Sequence, residues 1–140
     1  MLKTLMTKVF GDRHEREARK YWPIVDEINE IAERLQSVPE AELRAQTDRL
    51  RGIVGERTRE LEERLADLRN RKRHSEDPAE REQLSVDIRA AEDALKAEIQ
   101  AVLDEILPEA YATVKEASRR LLGADIVVTG QNMKWDMVPY

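Results

Sequence analysis

The stretch Leu84-Ser85-Val86-Asp87-Ile88-Arg89-Ala90-Ala91-Glu92-Asp93-Ala94-Leu95-Lys96-Ala97-Glu98-Ile99-Gln100-Ala101-Val102-Leu103-Asp104-Glu105-Ile106 decides the architecture of this chain. Leu84, Ile88, Ala91, Leu95, Ile99, Val102 and Ile106 recur at steps of 4, 3, 4, 4, 3 and 4, close to a coiled-coil seam. Upstream, Leu61, Leu65 and Leu68 form a second, narrower stripe. Between the stripes lie the basic run Arg69 to His74 and the breaker Ser75-Glu76-Asp77-Pro78. Asp77 suits an N-cap, with Pro78 in the first helical slot and Glu80 at the third. The pattern predicts an antiparallel helical hairpin over residues 56–106. Its outgoing arm of about 18 residues would reach roughly 27 Å at 1.5 Å per residue.

Working back towards the N-terminus, a helix is predicted with Ile24, Val25, Ile28, Ile31 and Leu35 on one stripe, kinked or newly started at Pro23. Ser37-Val38-Pro39-Glu40 reads as a capping box, and a further helix follows from about Val38 with Leu43, Leu50, Ile53 and Val54 inward. Gly52 and Gly55 weaken that helix without having to stop it. At the front, Leu2, Leu5, Met6, Val9 and Phe10 predict a short amphipathic helix ended by Gly11. Working forward, Pro108 is expected to separate the hairpin from a last helix over 108–122, ended by Gly123. Ile126 to Thr129 is β-prone and short. A strand that brief needs a sheet, and no second strand is legible, so further sequence is expected. The fold class is therefore all-α, with a β-prone tail leading towards an α/β domain. The expected divisions are helices over 1–55, the hairpin over 56–106, and a helix and tail over 107–140.

Composition narrows the function classes. Charged residues make up 38% of the 140 residues and aromatics 4%, which suits long solvated helices better than a thick core. The net charge of −5 argues against a general nucleic-acid binder. With no cysteine, a disulfide scaffold and a thiolate zinc site are excluded, and a reducing compartment fits. No apolar run approaches the roughly 20 residues of a membrane span, and the first ten residues lack the features of a signal peptide. A cytosolic protein is expected.

No catalytic constellation is legible. The phosphate-loop pattern follows none of the five glycines. His14 and His74 have no partner at metal-ligand spacing and read as exposed titrating groups, so no metal site is expected. The N-terminal stripe allows two readings: packing on protein, or insertion at a membrane surface with Lys3 and Lys8 near anionic lipid. From Met1 to Trp22 there are six Lys/Arg and three Asp/Glu, a local basic surplus that favours lipid. The membrane-binding candidates are thus Leu2, Lys3, Leu5, Met6, Lys8, Val9 and Phe10. Arg69, Arg71, Lys72 and Arg73 at the hairpin tip could meet an acidic partner or lipid, but a solvated turn is the better reading. The hairpin seam is read as structural zipping.

Several blocks carry a family resemblance. Leu5-Met6-Thr7-Lys8-Val9-Phe10-Gly11 and Ile24-Val25-Asp26-Glu27-Ile28-Asn29 resemble the opening of SecA, the motor ATPase of bacterial protein export. Glu42-Leu43-Arg44-Ala45-Gln46-Thr47 resembles that family's EELRAKT block. The most specific match runs from Leu107-Pro108-Glu109-Ala110-Tyr111 to Ala117-Ser118-Arg119-Arg120, similar to LPEAFAVVREASRR. Residues 56–105 depart from the shorter family pattern and resemble a lineage-type helical insertion.

The resemblance implies an ATP-driven preprotein translocation motor at the SecY channel, using ATP and Mg²⁺ in the full-length protein. It implies preproteins and anionic phospholipid as partners and residence on the cytoplasmic face of the inner membrane. In the family, Met137-Val138-Pro139-Tyr140 would be followed by Asp-Val-Gln and then the phosphate loop. Met137 and Tyr140 are thereby expected to pack beside adenine. The nucleotide-reading Gln, the phosphate-loop Lys and Thr and the catalytic carboxylates are absent from these residues, so neither catalysis nor a cofactor is expected of this segment alone. The rival reading is a freestanding helical interaction protein that forms a homodimer through its coiled-coil stripe.

Overall fold

The computed structural model describes residues 17–136. In chain order these form α1 (Trp22–Leu35), α2 (Glu40–His74), α3 (Pro78–Leu121), β1 (Asp125–Val128) and β2 (Gln131–Lys134). The expectation of a helical segment closing in a short β-prone tail is met. The N-terminal helix expected over residues 1–10 lies outside the described residues.

The chain divides into two compact units. The first is the hairpin, Glu40–Leu107. Here α2 runs for 35 residues through Gly52 and Gly55, with open space beside both glycines. Each glycine lowers local helix stability by about 1 kcal/mol relative to Ala, which the long apolar seam outweighs. Leu65, Leu68, Leu84 and Ala91 are buried together, with Ile88 and Leu95 packed against them. The spacing of the apolar residues thus becomes the contact between the arms. Outside the seam, Arg57 donates to Glu98 at 2.9 Å and Glu105 at 3.1 Å, and Arg69 donates to Glu92 at 2.7 Å. The turn is chemically tight. The Asp77 carboxylate accepts the Ala79 amide at 3.0 Å, as an N-cap should, and the Ser75 hydroxyl donates to Glu80 at 2.6 Å.

The second unit combines the chain before Glu40 with the chain from Pro108 on. In it α1 starts anew after Tyr21, with Pro23 in its first turn, where a missing N–H leaves no intrahelical bond unmade. Its stripe is buried unevenly. Ala32 and Leu35 are covered, whereas Ile24 and Val25 remain over one-third exposed. The capping box is a correction. The Ser37 hydroxyl donates backwards to the Arg34 carbonyl at 3.0 Å, closing the end of α1, and α2 begins at Glu40. Serine carries both a donor and an acceptor, so sequence spacing alone does not settle which helix end it serves.

Pro108 is a second correction. It lies inside α3, which runs unbroken for 44 residues. The ring removes one intrahelical donor, a local cost of about 3 kcal/mol. Pro108 is itself buried, so packing keeps the helix going. The third correction concerns the β-prone tail. β1 does have a partner: it pairs antiparallel with β2, in the register Asp125↔Lys134, Ile126↔Met133, Val127↔Asn132 and Val128↔Gln131. The two-residue turn is Thr129-Gly130, with φ of 49° and 80°. Positive φ at both positions is the primed turn that matches strand twist. Glycine accepts it freely, and the β-branched Thr129 does so under strain.

Candidate functional site

The second unit holds the polar cluster with the most structure around it. It begins with the helical spacing Glu116, Arg119, Arg120, which brings an acid and two bases onto adjacent faces of α3 one turn apart. The Glu116 side chain is 1% exposed, and both its oxygens are used. Oε2 accepts from Arg119 Nε at 2.7 Å, while Oε1 accepts from Arg119 Nη2 at 2.9 Å and Arg120 Nε at 2.6 Å. Hydrogen bonding from Arg119, assisted by Arg120, holds the Glu116 carboxyl below its ordinary pKa despite the opposing effect of burial.

Arg120 also reaches across to α1. Its Nη2 donates to the Leu35 carbonyl at 2.9 Å and the Val38 carbonyl at 2.7 Å. Carbonyls at a helix C-terminus have no intrahelical donor, and a guanidinium supplies charge and direction together. Nearby on the same helices, Lys115 Nζ donates to Asn29 Oδ1 at 2.7 Å. These bonds fasten α1 to the last turns of α3.

The ribbon continues from that fastening. Gly123 N–H donates to the Trp135 carbonyl at 2.8 Å, and Trp135 N–H donates to the Ala124 carbonyl at 2.9 Å. Strand alternation puts Ile126, Val128, Met133 and Trp135 on one ribbon face and Asp125, Val127, Asn132 and Lys134 on the other. The apolar face is only partly covered: Met133 is 53% exposed. The indole N–H of Trp135 is buried without a hydrogen-bond partner among the described residues.

The residues singled out from sequence fall elsewhere. Leu2, Lys3, Leu5, Met6, Lys8, Val9, Phe10, Met137 and Tyr140 all lie outside the described residues, as does His14. His74 is exposed, with Nδ1 2.9 Å from the Asn70 carbonyl. Among the described residues no group of His, Cys, Asp or Glu could hold a metal ion. The hairpin tip is less basic in space than in sequence. A shallow depression of about 390 Å³ there is lined by Lys72 and Arg81 but also by Glu76 and Glu82. Among the described residues no helix is long and apolar enough to cross a membrane. The Glu116–Arg120 cluster was missed from sequence because i,i+4 acid–base pairs are abundant here and mostly mark solvated surfaces. Its one distinguishing signal is its place in the block most similar to the family pattern.

That block falls within the span matched by a family model. The model for the SecA DEAD-like domain covers residues 6–133. The chain belongs to the SecA family. Similar proteins include the protein translocase subunit SecA of Salinibacter ruber, 41% identical over 94% of this chain and 13% of that protein. Those of Chlorobaculum tepidum and Prosthecochloris aestuarii are 37% and 36% identical over 100% of this chain and 14% of each protein. The chain thus spans about one-seventh of the SecA relatives it matches. No solved structure matches it.

Proposed function

We propose that this chain is the N-terminal part of an ATP-driven preprotein translocation motor, contributing scaffold and tethering but no catalytic group. The observation that carries this is the match to the SecA DEAD-like domain over residues 6–133, together with relatives named protein translocase subunit SecA. In the full-length protein ATP and Mg²⁺ would be bound mainly by groups beyond these residues. Phosphoryl transfer needs a backbone cradle, a cation on the β/γ-phosphates and a carboxylate-held metal. Residues 1–140 contain no phosphate-loop pattern.

Two finer roles belong to the same proposal. Met137 and Tyr140 would form one wall of the adenine pocket. Leu2, Lys3, Leu5, Met6, Lys8, Val9 and Phe10 would tether the motor to anionic phospholipid on the cytoplasmic face of the inner membrane, near the SecY channel. Ten residues insert little apolar area, so the lipid contact would be weak and salt-sensitive. The rival, an interaction protein that dimerises through its apolar stripe, is weakened by the hairpin. Leu65, Leu68, Leu84 and Ala91 already cover one another within a single chain.

The test compares the 140-residue chain with the full-length protein. Full-length protein should hydrolyse ATP with Mg²⁺ dependence, and Tyr140→Ala in it should weaken nucleotide binding. The short chain should not turn over ATP. It should co-sediment with anionic vesicles, lose binding as salt rises, and lose it on removal of residues 1–10. Turnover by the short chain would overturn the division of labour. Equal binding to neutral vesicles would overturn the tether.

A further inference from the structure

We propose that the hairpin unit, Glu40–Leu107, is a hinged arm that turns on Pro39 and Pro108.

The chain passes between its two compact units twice, from Pro39 to Glu40 and from Leu107 to Pro108. Each passage falls on a proline, and each proline removes a backbone donor. At the first passage the chain is held up to Val38. Val38 N–H donates to the Leu35 carbonyl at 3.1 Å, and Arg120 Nη2 donates to the Val38 carbonyl at 2.7 Å. Pro39 then has no N–H to give, and α2 starts at Glu40. At the second passage α3 runs helical through Pro108. The Asp104 carbonyl, four residues back, cannot receive its usual bond from position 108. The proline ring also crowds that carbonyl and disfavours helical geometry at Leu107. Sharp bends in long helices concentrate at such points. Beyond it, Lys115 Nζ donates to Asn29 Oδ1 at 2.7 Å and Arg120 to the Leu35 carbonyl at 2.9 Å, so the last turns of α3 are anchored to α1.

On its own side the arm is stiff. Leu65, Leu68, Leu84 and Ala91 are buried together along the seam. Arg57 donates to both Glu98 and Glu105, joining α2 to α3 shortly before the second passage. The Asp77 cap closes the far end. A body braced within itself, with backbone bonding weakened where it is attached, turns as a whole before it frays. Pro39 alone would be ordinary punctuation before a helix. Pro108 is not punctuation, because α3 continues to Leu121. The leverage is large. The 35 residues of α2 span about 52 Å at 1.5 Å per residue, and a turn of about 20° would carry the tip about 18 Å.

The experiment uses the full-length protein on a cysteine-free background, with spin labels on Glu30→Cys and Glu63→Cys, both exposed positions. Pulsed dipolar spectroscopy reads the distribution of distances between them. Ala45→Cys with Glu63→Cys, both within the arm, gives the reference width. The Glu30–Glu63 distribution should be broader than the reference by about 10 Å, the sweep of a point roughly 35 Å along α2. Pro108→Ala restores a donor to the Asp104 carbonyl. It should narrow the Glu30–Glu63 distribution towards the reference width and leave the reference unchanged. Amide exchange at residues 109–111 should slow about tenfold in the same variant. Equal widths for the two pairs in the wild-type background overturn the proposal. An unchanged Glu30–Glu63 width in folded Pro108→Ala overturns it as well. If that variant does not fold, the comparison of the two pairs decides by itself.

Discussion

The hairpin unit and the unit built from α1, the end of α3 and the ribbon solve the same problem in opposite ways. The hairpin hides a narrow apolar seam and leaves its ion pairs at the surface, where they contribute little. The other unit buries an ion cluster and leaves apolar side chains outside: Tyr111 is 61% exposed and Val127 is 70% exposed. A seam that repeats along two helices is satisfied by the hairpin's own residues. A two-stranded ribbon has no such repeat and is marginal alone in water. The difference shows where each unit gets its specificity, from periodicity in one and from directed polar bonds in the other.

The strongest way to break this contrast is to put a charge into the seam. Leu84 is 2% exposed. Leu84→Asp should destabilise the hairpin by about 4 kcal/mol, because it removes a buried apolar side chain and puts a carboxylate among Leu65, Leu68 and Ala91. Helicity by circular dichroism should fall and proteolysis should open near Arg71 to Glu76. An unchanged proteolytic pattern would mean the seam does not hold the arms together.

Removing the buried acid should come next. Glu116→Ala leaves Arg120 without its carboxylate and should cost about 3 kcal/mol, as breaking a buried pair does. The loss should appear in thermal unfolding and in exchange at residues 36–39. Protonation should do the same more gently. The folded-state pKa of Glu116 is depressed, so its contribution is complete above the ordinary Glu value of about 4.3 and drains as pH falls through the lower folded value. Loosening at 36–39 on acidification should be much smaller in Glu116→Gln, and equal responses would assign it to other carboxylates.

A smaller effect, of opposite sign, is expected at the ribbon turn. Thr129→Asn places a residue that tolerates φ of 49° where a β-branched one is strained, and should stabilise the ribbon by roughly 0.5–1 kcal/mol. Slower exchange of the β1–β2 amides would check it. Smallest of all, Arg69→Ala removes an exposed pair with Glu92 and should change stability by less than about 1 kcal/mol. A large loss there would mean that the hairpin leans on its surface ions after all.

The sequence by itself determined the hairpin, its Asp77 cap, the start of α1 near Pro23 and the family. Each depends on residues close in the chain or on a repeat that survives without coordinates. A two-residue turn ending in glycine, Thr129-Gly130, was also present to be read, but Gln131 to Lys134 lacks the apolar alternation that marks a strand. Tertiary structure alone decided the rest. Pro108 stays helical because burial outweighs a missing hydrogen bond. Ser37 closes α1 because its hydroxyl finds the Arg34 carbonyl. Arg120, 82 residues after Val38, grips that residue because the fold returns α3 to the end of α1. Local spacing records which bonds neighbouring residues can make. Which of the many charged residues has a partner far along the chain is set by the path of the backbone.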